Sequence, residues 1–266
     1  DNAGNESVYP IGPPDYHATT IIDVNTLSAP ANIADGSEID PDADTTTVNT
    51  SLSGHWDAVA GAATYLYAVG TTAGGADIIN WTETAATSFT QAQALADGKY
   101  YLSVRGKKAI GSTGIIGTTD GLFVDTVAPT CAVTALSAYQ TVSSSFSVTW
   151  GGSDATSGIA NYDVEVNDNN GGWTAWQTAA AGTTATYSGT NGHTYAFRCR
   201  ATDITGNAGA YPGAADTTTL VDTTTPVISY IYDGTGADVS LTNSADTLSA
   251  NWDAADAESG IMKYEY

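Results

Sequence analysis

The sequence predicts an all-β chain built from tandem β-sandwich modules, and three observations carry that expectation. Trp56, Trp150 and Trp252 each close a short alternating run, followed by Tyr65, Tyr162 and Tyr264. Around the second and third anchors the pattern Trp-(x6)-Ser-Gly-Ile-x-x-Tyr recurs, from Trp150 to Tyr162 and from Trp252 to Tyr264. Self-similarity at a period of about one hundred residues marks a string of modules rather than one catalytic fold. The second observation is period-two alternation in 145–150, 162–166 and 195–201, which sends every other side chain to one buried face. The third is an absence: no segment sustains a 3.6-residue apolar period, and Gly, Asn and Asp clusters such as 167–172 punctuate the runs. About seven short strands per hundred residues imply a sandwich.

Module limits follow from a second landmark. Val124-Asp125-Thr126-Val127-Ala128-Pro129 and Val221-Asp222-Thr223-Thr224-Thr225-Pro226 match each other, with a weaker copy at Ile22-Asp23-Val24, and the three aspartates stand 102 and 97 residues apart. Asp1-Asn2-Ala3-Gly4-Asn5 matches Asp203-Ile204-Thr205-Gly206-Asn207. The chain is therefore expected to hold the C-terminal strand region of one module (1–23), two whole modules (24–125 and 126–222) and the N-terminal part of a further one (223–266). The end segments total 67 residues, short of a module. Two explanations stand: a window onto a longer protein, or a tail that lends a strand to a neighbour's unfinished module.

At these residues the chain resembles bacterial and archaeal extracellular repeats of the fibronectin type III and immunoglobulin-like kind. The tryptophan ending the second strand (Trp56, Trp150, Trp252), the tyrosine opening the third (Tyr65, Tyr162, Tyr264) and the alternating row of the sixth (Tyr100, Leu102, Val104; Tyr195, Phe197, Cys199) carry the resemblance over the full length. It implies tandem immunoglobulin-like or fibronectin type III-like β-sandwiches, aromatic anchors that serve packing, and a tyrosine corner at Leu95 and Tyr100.

Seven basic against 29 acidic residues give a net charge of −22, which repels nucleic acid and anionic lipid. Of the acids, 23 are Asp and six are Glu, a skew toward turns and divalent-ion loops over helices; a halophilic source would also explain the charge. No run of eighteen apolar residues and no signal peptide occurs, so no membrane contact is expected within this segment. The expected location is extracellular, at the cell surface. Asn5, Asn49 and Asn80 head N-glycosylation triplets.

Cys131 falls in the first strand of 126–222 and Cys199 takes the inward place that Val104 has in 24–125. First and sixth strands lie in opposite sheets, so the pair either bridges the sandwich or forms two buried thiols. The one constellation with chemistry is acidic. Asp125 in the entering linker, Asp154 after the second strand, and Asp203 with Asn207 after the sixth meet at one end of the module. Hard oxygens from several loops are what Ca²⁺ takes, while Asp203-x-x-Gly-Asn207 is equally good turn chemistry. Asp222, Asp253, Asp256 and Glu258 are the counterparts at the next junction; in 24–125, Lys108 and Ser112 replace Asp203 and Asn207, which opposes a cation there. The acidic run 35–44 reads as a solvated loop with a weaker claim to an ion.

Catalysis finds no pattern: His17, His55 and His193 are isolated, Asp163 and Glu165 share an outward strand face, and no nucleophile elbow occurs. Trp173 and Trp176 read as edge cover or as an aromatic platform for sugar. The expected function is a non-catalytic structural array, a stalk, filament or adhesin shaft whose partners are copies of itself, neighbouring modules, or surface glycans and proteins. The alternatives are a carbohydrate-binding or spacer region of a secreted glycan-active enzyme, and a filament subunit assembling by strand exchange through its ends.

Overall fold

The computed structural model describes residues 25–36, 42–141, 144–241, 244 and 246–266. Asn5 and the proposed exchanging tail, 1–23, lie outside them. Among the described residues all regular structure is β.

Nine strands make the first sandwich: β1 (Ala34–Asp35), β2 (Thr45–Thr46), β3 (Ser51–His55), β4 (Thr64–Gly70), β5 (Ile79–Thr84), β6 (Ser88–Ala92), β7 (Gly98–Lys107), β8 (Gly117–Thr118) and β9 (Leu122–Val124). One sheet runs β1-β3-β6; the other runs β2-β9-β7-β4-β5, with β8 on β7. Eight make the second: β10 (Thr130–Val133), β11 (Tyr139–Gln140), β12 (Ser145–Ser153), β13 (Ile159–Asp168), β14 (Trp173–Ala180), β15 (Thr184–Ser188), β16 (Thr194–Asp203) and β17 (Thr217–Val221). Its sheets, β10-β12-β15 and β11-β17-β16-β13-β14, repeat the same order. In both, the opening segment starts antiparallel on one sheet and crosses to run parallel with the last strand of the other, β2 on β9 and β11 on β17. This is a fibronectin type III-like arrangement. Beyond it, β18 (Val227–Asp233) pairs antiparallel with β19 (Ala250–Ala255).

Alternation builds the cores. Along β12, Phe146, Val148 and Trp150 are buried while Ser145, Ser147 and Thr149 face water. Along β16, Tyr195, Phe197, Cys199 and Ala201 are buried in turn. The anchors Trp56 and Trp150 lie inside the two cores, Trp56 edge-on to Tyr65 at 5.7 Å and Trp150 edge-on to Trp176 at 5.9 Å. Tyr100 closes the corner before β7 by donating its hydroxyl to the Ala96 carbonyl at 2.8 Å, a tyrosine corner; the Tyr195 hydroxyl instead accepts the Thr190 N–H at 2.9 Å.

A disulfide joins Cys131 to Cys199 with Cα atoms 5.7 Å apart, tying β10 to β16 across the second sandwich. Closing a 68-residue loop stabilises by about 4 kcal/mol on the chain-entropy account. Replacing both cysteines with alanine is expected to remove about that much from the β10–β17 sandwich. Urea unfolding should show one transition moved and the transition of the cysteine-free β1–β9 sandwich in place; equal loss in both would refute a local staple.

Candidate functional site at the module junctions

The inward row of β16 does not stop with the core. Continuing two residues past Ala201, it places Asp203 inside, 2 % exposed. Asp125, directly after the last core residue of β9, is fully buried, and Asp154 follows β12 half-buried. One carboxylate oxygen from each of the three lies within 4.8 Å of the others.

Backbone donors aim these oxygens. Asp154 Oδ1 accepts the N–H groups of Thr156, Ser157 and Gly158 at 3.0, 2.9 and 2.9 Å, with Gly158 at φ 82° to close the turn. Asp125 accepts from Val127 through one oxygen at 3.1 Å and from Ser157 through the other at 3.0 Å. Asp203 Oδ1 accepts from the Asn207 N–H and the Thr205 hydroxyl, both at 2.8 Å. Asn207 turns its amide nitrogen, not its oxygen, to Asp203 Oδ2 at 2.8 Å and to the Asp125 carbonyl at 2.9 Å, so it braces the acids as a donor. Turn chemistry and acid clustering are thus one arrangement: the bonds that fix the turns also hold the carboxylates together.

The electrostatics are unbalanced. Burial works against ionisation of Asp125, but the bonds from Ser157 and Val127 outweigh it and hold the carboxyl below the ordinary range. All seven basic side chains are engaged elsewhere. Arg198 and Arg200 pair with Glu165 and Asp163, Lys107 with Glu83, and Lys263 with Glu265. Arg105 stacks on Trp81, Lys99 sits over Tyr101 and Phe123, and Lys108 reaches the Asn25 carbonyl. Two like charges about 5 Å apart repel by about 3 kcal/mol at the effective dielectric of a protein surface.

The next junction repeats the device. Asp222, Asp256 and Glu258 bring carboxylate oxygens within 4.8 Å of one another. Asp256 Oδ1 accepts the N–H groups of Glu258, Ser259 and Gly260, as Asp154 does for its own turn, and the Ser259 bond leads in holding its carboxyl low. Asp253 is exposed on β19 opposite Tyr230 and does not join the group. In the first sandwich Lys108 forms the same hairpin as Asp203, its N–H donating to Ser112 O at 2.9 Å where Asp203 donates to Asn207 O at 3.0 Å. A lysine thus stands at the pole where the second sandwich has an acid.

Each linker is also gripped from behind, by residues that sequence reasoning missed. Asp97 Oδ1 accepts the N–H and hydroxyl of Thr126 at 3.1 and 3.0 Å; Asn191 Oδ1 takes the same two donors of Thr223 at 2.7 and 3.1 Å. The signal was present as Asp97-Gly98 and Asn191-Gly192, 29 and 32 residues before the linker threonines. Glu258 adds bonds to Asn191 and Thr224, both at 3.0 Å.

Other candidates separate. Trp173 and Trp176 stand three residues apart on β14, an odd spacing that sends them to opposite faces. Trp173 lies under Arg198 at 4.1 Å, while Trp176 packs on Trp150, Tyr187 and Phe197 in the core, so they form no joint platform for sugar. Asp163 and Glu165 share the outer face with those arginines as ion pairs at 2.8 and 2.7 Å. Asn80 is exposed on edge strand β5, and Asn49 is half-buried with its carbonyl accepting from Leu95 N–H. Asp35 departs from the solvated-loop expectation: it lies on β1 and is 4 % exposed, because its strand seats it against the core. Among the described residues no helix is long and apolar enough to cross a membrane.

Fold and junctions together define a chain of fibronectin type III-like sandwiches with bonded linkers. Among solved structures the chain is similar to the Clostridium thermocellum CbhA fibronectin(III)-like modules, at 12 % identity over 74 % of this chain and 95 % of that one, TM-score 0.35. It is also similar to the chicken CNTN1 FN1-FN3 domains, at 14 % identity over 70 % of this chain and 67 % of that one, TM-score 0.31. No family model and no curated protein matches the chain.

Replacing Asp154 with alanine strands three N–H donors and is expected to cost the second sandwich about 2 kcal/mol in urea unfolding. A gain in stability would mean that carboxylate repulsion dominates the turn. The pH dependence has a definite sign. Asp125 has a folded pKa below its ordinary 3.8, so its contribution is present above that value and is lost as pH falls through the folded one. Acid titration of Asp125→Asn should lack this component, which comparison of the two unfolding curves below pH 4 would reveal.

Proposed function

We propose that the chain is part of an extracellular, non-catalytic structural array, a stalk, surface filament or adhesin shaft in which sandwiches set length and junctions set stiffness. The double grip on the linker carries this reading. Residues 125–129 are held from behind by Asp97 and from ahead by Ser157 and Asn207, and the linker starting at Asp222 is held by Asn191 and Glu258. A linker serving only as a tether has no use for such bonds. The Cys131–Cys199 bridge is in keeping with an oxidising compartment outside the cytosol. The charge of −22 disfavours nucleic acid and anionic membranes as partners, which leaves copies of the chain, neighbouring modules, and surface glycans or proteins.

Calcium is the ion this junction suits. Asp125, Asp154 and Asp203 offer hard oxygens from three separate segments, and a divalent cation between them would relieve their repulsion while tying the linker to two loops. Backbone carbonyls and water would complete its coordination. Calorimetric titration is expected to give a dissociation constant of about 10⁻⁴ to 10⁻³ M, the range of extracellular modules. Small-angle scattering with calcium should show a narrower spread of inter-module angles than with chelator, and Asp203→Asn should abolish the difference. Identical profiles in all three conditions would leave the acids with the turns alone. A fully flexible profile in every condition would refute the stiff-array reading itself.

A further inference from the structure

Among the described residues, Asp35 is the buried acid of the first sandwich that stands outside the junctions. The residue is 4 % exposed, and among the described residues neither carboxylate oxygen has a hydrogen-bond partner. It borders a cavity of about 10 Å³ whose apolar wall is Leu52, Val69, Phe89, Leu102 and Leu122, with room for no more than about one water. The charged groups acting on it are all carboxylates: Asp42 and Asp44 from the segment leading into β2, and Asp120 from the turn before β9. Of the other elements packed here, β3 brings Ser53 and places His55 opposite Ala34, and β7 brings Tyr100, whose hydroxyl is committed to Ala96. The Thr119 hydroxyl lies near enough to favour the charged form, but it closes no hydrogen bond to either oxygen.

The strand that carries this group is weakly held. β1 has two residues, and its ladder to β3 consists of Ala34 opposite His55 and Asp35 opposite Gly54. The Gly36 N–H bond to Ser53 O and the Ala43 N–H bond to Asp35 O, both 3.0 Å, add to the attachment, as does the Asp35 N–H bond to Asp42 Oδ1 at 2.8 Å. An uncompensated charge beneath such a short strand is relieved by lifting the strand into water.

We propose that Asp35 is a proton-operated latch: with its carboxyl neutral, β1 stays seated on β3, and ionisation favours release of β1 from the sandwich edge. Burial is the main cause that raises the folded pKa of this group to about 7, with the three neighbouring acids adding to it. In the lifted state the carboxyl is hydrated and titrates near the ordinary 3.8. The folded value is the raised one, so the closed state is favoured fully below 3.8. It loses ground steadily up to about 7 and changes no further above that. Lifting β1 uncovers the edge of β3, a site for pairing with another strand.

The test is amide hydrogen exchange of Gly36 and Ala43 in the full chain, corrected for intrinsic rates. The opening equilibrium is expected to rise about tenfold per pH unit from about pH 4, roughly a hundredfold between pH 5 and pH 7, and then level off. Asp35→Asn should flatten the profile, Asp120→Asn should move the levelling point to lower pH, and His55→Gln should leave the slope intact. A flat wild-type profile, or a slope that survives in Asp35→Asn, overturns the latch. Should Asp35→Asn fail to fold, the carboxyl carbon shift of Asp35 in the wild type decides: a midpoint near 3.8 overturns the proposal and one near 7 upholds it. Flattening of the wild-type profile by added calcium overturns it in favour of a cation.

Discussion

Along β16 the side chains of Tyr195, Phe197, Cys199, Ala201 and Asp203 enter one interior, and most of what is particular to this protein follows from that single row. A strand cannot change the face it buries without a bulge, so the parity that delivers three core residues and a disulfide partner also delivers a carboxylate to the pole. There Asp203 meets Asp125, which emerges from the last strand of the preceding sandwich. The core of one module and the joint to its neighbour are therefore set by the same register. A shift of one residue in β16 would expose the aromatics and dismantle the junction together.

Charge is distributed with comparable economy. The arginines lie on the outer face of the larger sheets, against Glu165 and Asp163 in one sandwich and under Trp81 in the other. Acids gather at the poles, where backbone N–H groups serve Asp125, Asp154, Asp203, Asp222 and Asp256 in place of a basic side chain. The arrangement keeps positive charge away from the linkers and leaves their polarity to local turns. Lys108 is the exception that shows the rule's reach: on the same hairpin, with Lys108 and Ser112 in place of Asp203 and Asn207, an ammonium meets the Asn25 carbonyl where the second sandwich turns an amide to the Asp125 carbonyl.

Much of the fold was legible because alternation and the Trp–Tyr spacing are local signals. The side assignments of Phe146, Val148 and Trp150 can be read from four neighbouring residues. The gathering of Asp125, Asp154 and Asp203 was legible only through topology, as it requires knowing which loops share an end. Three features were not legible. The Asp97 and Asn191 grips depend on a corner in one module facing a linker that belongs to the next. Trp176 looked like its near neighbour Trp173 until the strand parity of β14 was known. Asp35 stands in so acidic a run that composition speaks for solvent, whereas a two-residue strand carries it inward.

The covalent tie between Cys131 and Cys199 has a mechanical side. A pull on the two ends of the chain would find the sandwiches unequal. The one without a bridge could be drawn out to its full contour, whereas the other would withhold the loop between its cysteines, which stand 68 positions apart. At roughly 3.4 Å per extended residue, that hidden length is about 230 Å. The pair would then behave as a soft spring in series with a stiff one, the first absorbing extension and the second limiting it.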